Sequence, residues 1–344
     1  MISMIKQFGL ALLLVGIAAT SMKAQNPSGI HLIKKTVIGG TGGWDYVYVD
    51  ADNRRLYVSH GTQVEVLNAD THEKVGVIED TKGVHGIVTA NDAGKGFVTC
   101  GGTSSIKIFD MKTFKVTGEI PGGKKPDAVL YDKFSGRVFV FNNGSGNATV
   151  INAATGTVDS TLELGGAPEA AVNDNMGNIF VNLEDKSEVV NFDSKTLAIK
   201  KHWRLTGGEE PTGLGFDAKN HRLFSACHNE VMIISDSEAG TVIGSQPIGK
   251  GVDGAIFDPA NMLAVSSNGE GTITIIQEVS PTEFKVLENV KTEPSARTCT
   301  IDGKTNHIFL IGAQLGEMPA ATAEKPKPRR PMMPGTFMVL EYGK

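Results

Sequence analysis

The chain has few of the features that usually announce a function. Cysteine is scarce, with 3 in 344 residues. Cys100, Cys227 and Cys299 are widely spaced and form no Cys-x-x-Cys pair, so they supply no disulfide framework and are expected as buried free thiols. Aromatic residues make up 6% of the chain, including 2 tryptophans. No apolar run beyond residue 19 is long enough to cross a bilayer. Basic charge is not in excess either: with Lys6 and Lys23 set aside, 31 basic residues face 38 acidic ones. That balance argues against nonspecific nucleic-acid binding. Glycine, in contrast, is plentiful, and 41 of them imply many tight turns.

Residues 1–24 read as a secretory signal peptide. Lys6 is the basic head, Phe8–Ala19 the apolar run, and Ser21–Ala24 the small-residue end with the cut after Ala24. The run is too short for a comfortable membrane span, and a retained N-terminal anchor is the alternative. No cysteine follows it to mark a lipid anchor. The expected mature chain, 25–344, is periplasmic or secreted, has no transmembrane segment and is a monomer.

What fills that chain is a repeat. GGWDY (42–46), GVHGI (83–87), KPDAV (125–129), APEAA (167–171), EPTGL (210–214), GVDGA (251–255) and EPSAR (293–297) each open a unit. Their aligned positions are Asp45, His85, Asp127, Glu169, Thr212, Asp253 and Ser295, with successive gaps of 40, 42, 42, 43, 41 and 42 residues. Within a unit, period-two segments such as RLYVSHG (55–61) and RVFVFNNG (137–144) read as second strands. Third strands end in Asp or Asn turns, as in IKIFDMKTFKV. Four short strands in about forty residues make one propeller blade. Seven such units predict an all-β fold, a seven-bladed β-propeller of four-stranded antiparallel blades.

The chain ends support a closed ring. The seventh unit has strands at 296–301, 307–311 and 337–341 and lacks its outer strand. Ile30–Val37 is a strand without a unit, and it is expected to complete the last blade and remove an open sheet edge. One segment breaks the period: 312–335, a Pro- and Lys/Arg-rich loop within blade 7.

Strands of the type RLYVSHG, RVFVFNNG and NIFVNLE, each followed by a VIN- or IFD-type strand and turn, resemble the YVTN (YncE-like) family of propellers. The likeness spans residues 30–344, with a degenerate signature that reads YVSH in unit one and VFNN in unit three. It implies an exported propeller of binding or accessory role, and no particular reaction. WD40 repeats are a poorer match because neither GH nor WD recurs.

First-strand starts and second-strand ends share one face of such a ring. The expected ligand or partner site is therefore Asp45, His60, His85, Asp127, Glu169, Thr212, His228, Asp253 and Ser295 around the axis. Cys100, Asn142, Asn182 and Asn268 are placed nearby, and the loop 312–335 above them. Oxygen donors Asp127, Glu169 and Asp253 suit a divalent cation such as Ca²⁺, whereas His60, His85 and His228 offer softer ligands for zinc, iron or haem. Solvated strand starts without a ligand are the plain alternative. No catalytic residue is assigned: His85 has the character of a general base, but no nucleophile accompanies it. Three functions stay open. They are a binding or accessory module for a protein or small molecule, a Ca²⁺-type hydrolase or lactonase like other propellers with axial carboxylates, and an accessory factor for cofactor or haem-enzyme maturation. Trp44 is expected in inter-blade packing or as a rim contact, and Trp203 in an outer strand. The Lys325–Arg330 cluster reads as a solvated charge run or as a lid over the mouth.

Overall fold

Seven four-stranded antiparallel sheets form the ring in the computed structural model, which describes residues 27–322, 328 and 330–344. The signal-peptide segment lies outside the described residues, as do Lys325, Lys327 and Arg329 of the basic cluster. Blade 1 consists of Val47–Asp50, Arg55–His60, Gln63–Asn68 and Lys74–Ile78, and five more blades repeat this meander in chain order. No described helix is long and apolar enough to cross a membrane.

The seventh blade is closed from both ends of the chain. Cys299–Ile301, Ile308–Gly312 and Met338–Gly343 supply three strands, and His31–Val37 pairs antiparallel with the last of them. The expected closure is what the fold contains. Met338–Gly343 thereby gains a hydrogen-bonded neighbour on each side, which removes a sheet edge at the junction of the termini.

Each sheet presents apolar side chains on two faces and must bury both against neighbours. Leu56 and Val58 of blade 1 pack with Phe309, Ile311 and Phe337 of blade 7. On the other side of the same blade, Tyr57 and Val66 meet Val98 and Phe109 of blade 2. Burying one such side chain contributes roughly 1.5–3 kcal/mol, so the inter-blade layers are the main cohesive force. The Asp and Asn turns between third and fourth strands form as expected. Asp110 Oδ1, for example, accepts from the backbone N–H of Lys112 at 3.1 Å and of Thr113 at 2.8 Å.

All three cysteines are free, with Cys100 and Cys227 buried. Burial pushes each of the three thiols up to about 12, where the reactive thiolate is absent at neutral pH. Intact-mass analysis after brief iodoacetamide treatment should find no adduct on the native protein and three after denaturation.

Candidate functional site

The inner strands do more than line the axis; five of them are irregular at one place. The pairing register slips between Val84 and Ile87, Pro126 and Val129, Pro168 and Ala171, Pro211 and Leu214, and Val252 and Gly254. Each slip contains one of His85, Asp127, Glu169, Thr212 or Asp253. A bulge leaves a residue unpaired and re-aims its side chain. Here it turns the ring residue toward the axis instead of against the next sheet.

Neighbouring blades then lock these positions through backbone carbonyls. Thr99 Oγ1 donates to the carbonyl of Asp127 at 2.6 Å, and Thr212 Oγ1 to that of Asp253 at 3.2 Å. Asn182 Nδ2 holds the carbonyls of Thr212 and Gly213 at 3.1 and 3.0 Å. Ser267 and Thr298 grip the carbonyls of Arg297 and Asp45 in short contacts.

The result is a cavity of about 570 Å³ on the axis. Asp45, His85, Asp127, Glu169, Thr212 and Asp253 line it, one from each of six blades, and Arg297 fills the seventh position. Ser295 does not. It sits two residues earlier with a positive φ of 86°, and its hydroxyl bonds the carbonyl of Ala313 at 2.8 Å. The signal that locates Arg297 is the aspartate at or just after the end of the inner strand in every blade but the second, where Ala90 stands. Asp50, Asp132, Asp174, Asp217 and Asp258 follow their ring residues by five positions, and Asp302 follows Arg297 by five. Blade 7 carries two extra residues before its inner strand, which shifts the motif EPSAR out of frame.

Other expected residues divide sharply. His228 reaches the cavity rim, with Nδ1 3.2 Å from Glu210 Oε2. His60 is not brought to the cavity: it is buried, stacks on Phe337 with ring centroids 4.3 Å apart, and lies 3.6 Å from Glu65. Asn142 and Asn268 are buried in hydrogen bonds to Thr149 and Thr274, and Cys100 is buried between sheets. Apart from His228, these second-strand ends point into inter-blade layers and serve as fasteners. Trp44 packs against Phe337 at 5.7 Å, and also lines a neighbouring groove of about 790 Å³ under Leu315, Met318 and Met332 of the long loop. Trp203 is buried in its outer strand. Tyr46, Lys125 and Glu184 complete the axial cavity without having been singled out by the repeat. Tyr46 belongs to blade 1 yet packs against the core of blades 3 and 4, so its ring crosses the axis. Burial and the surrounding Asp127, Glu169, Asp45 and Asp253 hold its hydroxyl well above the usual range.

The ring is electrostatically uneven. Arg297 pairs with Asp253 at 2.8 Å and stands 3.9 Å from Asp45, giving one side of the ring its counter-charge. His85 Nδ1 makes a short contact with Asp45 Oδ2 and lies 3.6 Å from Asp127 Oδ1. Burial opposes charging His85, but the Asp45 hydrogen bond and the Asp127 charge outweigh it and raise its pKa. Glu169 has no ion-pair partner among the described residues, and Lys125 reaches only Asn143 beside it, at 3.2 Å. Its carboxylate accepts from Asn143 at 2.9 Å, and Asn143 also contacts Glu184 at 3.3 Å. Burial, followed by the charges of Asp127, Glu184 and Asp253, lifts Glu169 to about 9. Burial and Asp45 lift Asp127 to about 7. Such groups store unfavourable energy that a cation relieves.

No family model matches the chain, and no curated protein sequence matches it. Among solved structures it is similar to a chain in the "Crystal Structure of Mitotic Checkpoint Complex", with a TM-score of 0.71 and 11% identity over 96% of this chain and 99% of that one. That likeness concerns the fold. The chain is a seven-bladed β-propeller with a carboxylate-rich axial cavity.

Proposed function

We propose that this protein is an exported binding propeller of the YVTN (YncE-like) type, whose axial cavity takes a small ligand or a protruding partner group that carries positive charge. One geometric observation supports it most: bulged inner strands aim five of the seven ring positions, in blades 2 to 6, by the same device, and four of the seven are carboxylates facing a single open cavity. A volume of about 570 Å³ falls within the range of small-molecule sites. The inter-blade fasteners make that arrangement rigid before any ligand arrives, which lowers the cost of binding. The basic head and apolar run of residues 1–24 support export.

Calorimetry and thermal shift on the mature protein at pH 8 test the reading with three probe classes: divalent cations, diamines and basic amino acids. At least one class is expected to bind. Joint replacement Asp127→Ala and Glu169→Ala should weaken that binding by about tenfold or more, because a bound cation draws both carboxyls into their charged forms. Unaltered binding in the double variant, or silence from all three classes, would overturn it.

A further inference from the structure

Three consecutive blades bring one imidazole and two carboxylates to a common point. The donor atoms of Asp45, His85 and Asp127 all lie within 4.8 Å of one another. We propose that these three residues form a facial site for one divalent first-row transition ion, with the open side of the ion directed into the axial cavity. This deepens the reading of a cation-binding cavity and rests on it.

The orientation of His85 is the second, independent observation. A Cβ at Gly101 would come within 2.6 Å of Nε2 and 2.8 Å of Cδ2. The ring edge is thus seated directly on the bare backbone of Gly101, and a larger residue there would force the ring to move. That seating leaves Nδ1 as the nitrogen aimed at both carboxylates, next to Asp45 Oδ2 and 3.6 Å from Asp127 Oδ1. The backbone on either side is gripped as well, with the Asp127 carbonyl held by Thr99 and the Asp45 carbonyl by Thr298. Fixed donors of this kind are what separates a metal site from a cluster of surface acids.

Donor chemistry selects the ion. Two carboxylates and one imidazole match Mn²⁺, Fe²⁺, Co²⁺ or Zn²⁺, which bind nitrogen and oxygen at about 2.0–2.2 Å. Ca²⁺ prefers six to eight oxygens, and the oxygen-only set Asp127, Glu169 and Asp253 is divided by other commitments. Asp253 is held by Arg297 at 2.8 Å and by Thr212 at 3.1 Å. Glu169 is engaged by Asn143. Arg297 approaches Oδ1 of Asp45 and leaves Oδ2 on the His85 side, so Asp45 serves the ion through a single oxygen. Two carboxylates also balance the charge of a divalent ion. Three protein ligands leave further positions to water or to an oxygen donor of a ligand in the cavity, with Arg297 beside it.

The experiment is titration of the chelator-stripped mature protein with Co²⁺, Mn²⁺, Zn²⁺ and Ca²⁺, each alone, followed by calorimetry and, for Co²⁺, by visible absorption. One equivalent of transition ion should bind, more tightly than Ca²⁺, with a Co²⁺ spectrum showing nitrogen and oxygen ligation. His85→Ala and Asp127→Asn should each weaken binding by about 100-fold or more. His202→Ala, a change on an exposed outer strand, should leave it unaltered. Circular dichroism and melting curves confirm that the variants fold. Absence of stoichiometric uptake at micromolar concentrations would overturn the proposal, and so would a Ca²⁺ preference indifferent to His85→Ala. Binding of a diamine or basic amino acid without metal uptake overturns the metal site alone. Silence from every probe class overturns the cation reading with it.

Discussion

Glu169→Gln is expected to raise the melting temperature of the ligand-free protein at pH 8 and to leave it nearly unchanged at pH 4. Burial and the charges of Asp127, Glu184 and Asp253 move this carboxyl from the usual 4.5 to about 9 in the folded chain. Below the lower value both folded and unfolded states carry the proton, and the group costs nothing. As pH rises above it, the unfolded chain releases the proton while the native cavity retains it. The native state then loses stability steadily until the folded value is reached. Glutamine cannot ionise, so it removes the loss. Full linkage would exceed the real effect because the cavity is open to solvent, and a gain of about 2 kcal/mol is a discounted figure. That corresponds to roughly 4 °C for a domain of this size. Melts of both proteins at pH 4, 6 and 8 measure it. Equal melting temperatures at pH 8 would show that Glu169 is not under the strain described. The gain should reverse when a bound cation supplies the missing counter-charge, the expected trade of stability for function.

Gly213→Val is expected to have the larger effect, in the opposite direction. A Cβ at Gly213 would stand 2.3 Å from the backbone nitrogen of Ala255 and 2.4 Å from the carbonyl carbon of Gly254. Those atoms belong to the inner strand of the next blade and have no rotamer to change. Gly86 and Gly254 meet the same crowding, at 2.8 Å from the Asp127 carbonyl oxygen and from the Cys299 nitrogen. Inner strands converge on the axis, and in blades 2 to 6 the residue after the ring position is Gly or Ala, whereas in blade 1 Tyr46 takes that place and extends over the axis. Valine in place of Gly213 must push two blades apart, at a cost of about 3 kcal/mol or more, which lowers the melting temperature by roughly 6 °C. Thermal unfolding by circular dichroism reads this directly. A variant that melts with the parent would mean that the inner strands are not packed backbone to backbone.

Much of this architecture is legible in the repeat. The seven opening motifs, the period-two strands and the orphan strand at 30–37 lead to the propeller and its closure without tertiary information. Six of seven ring positions follow from the same motifs, since a residue that recurs at one place in each blade recurs at one place around the axis. Blade 7 escapes because its two extra residues displace EPSAR relative to the strand, and only the distance to Asp302 restores the frame. Among the second-strand ends, His228 reaches the cavity rim whereas His60 and Asn142 do not. Sharing a face of the ring says nothing about whether a side chain points to the axis or into a neighbouring sheet. His60 and Asn142 point into the sheets.

The sequence by itself therefore determines the number of blades, their strand order, the joining of the termini and the chemical types at the strand starts. All of these are repeated along the chain and set by local hydrophobic alternation and turn chemistry. Tertiary structure decides which of those side chains meet. The bulges turn five of them inward, the offset of blade 7 substitutes Arg297 for Ser295, and Tyr46 reaches across the axis to the far blades. Only the packing of consecutive blades brings Asp45, His85 and Asp127 together, because neighbours in that cluster are about forty residues apart in the chain.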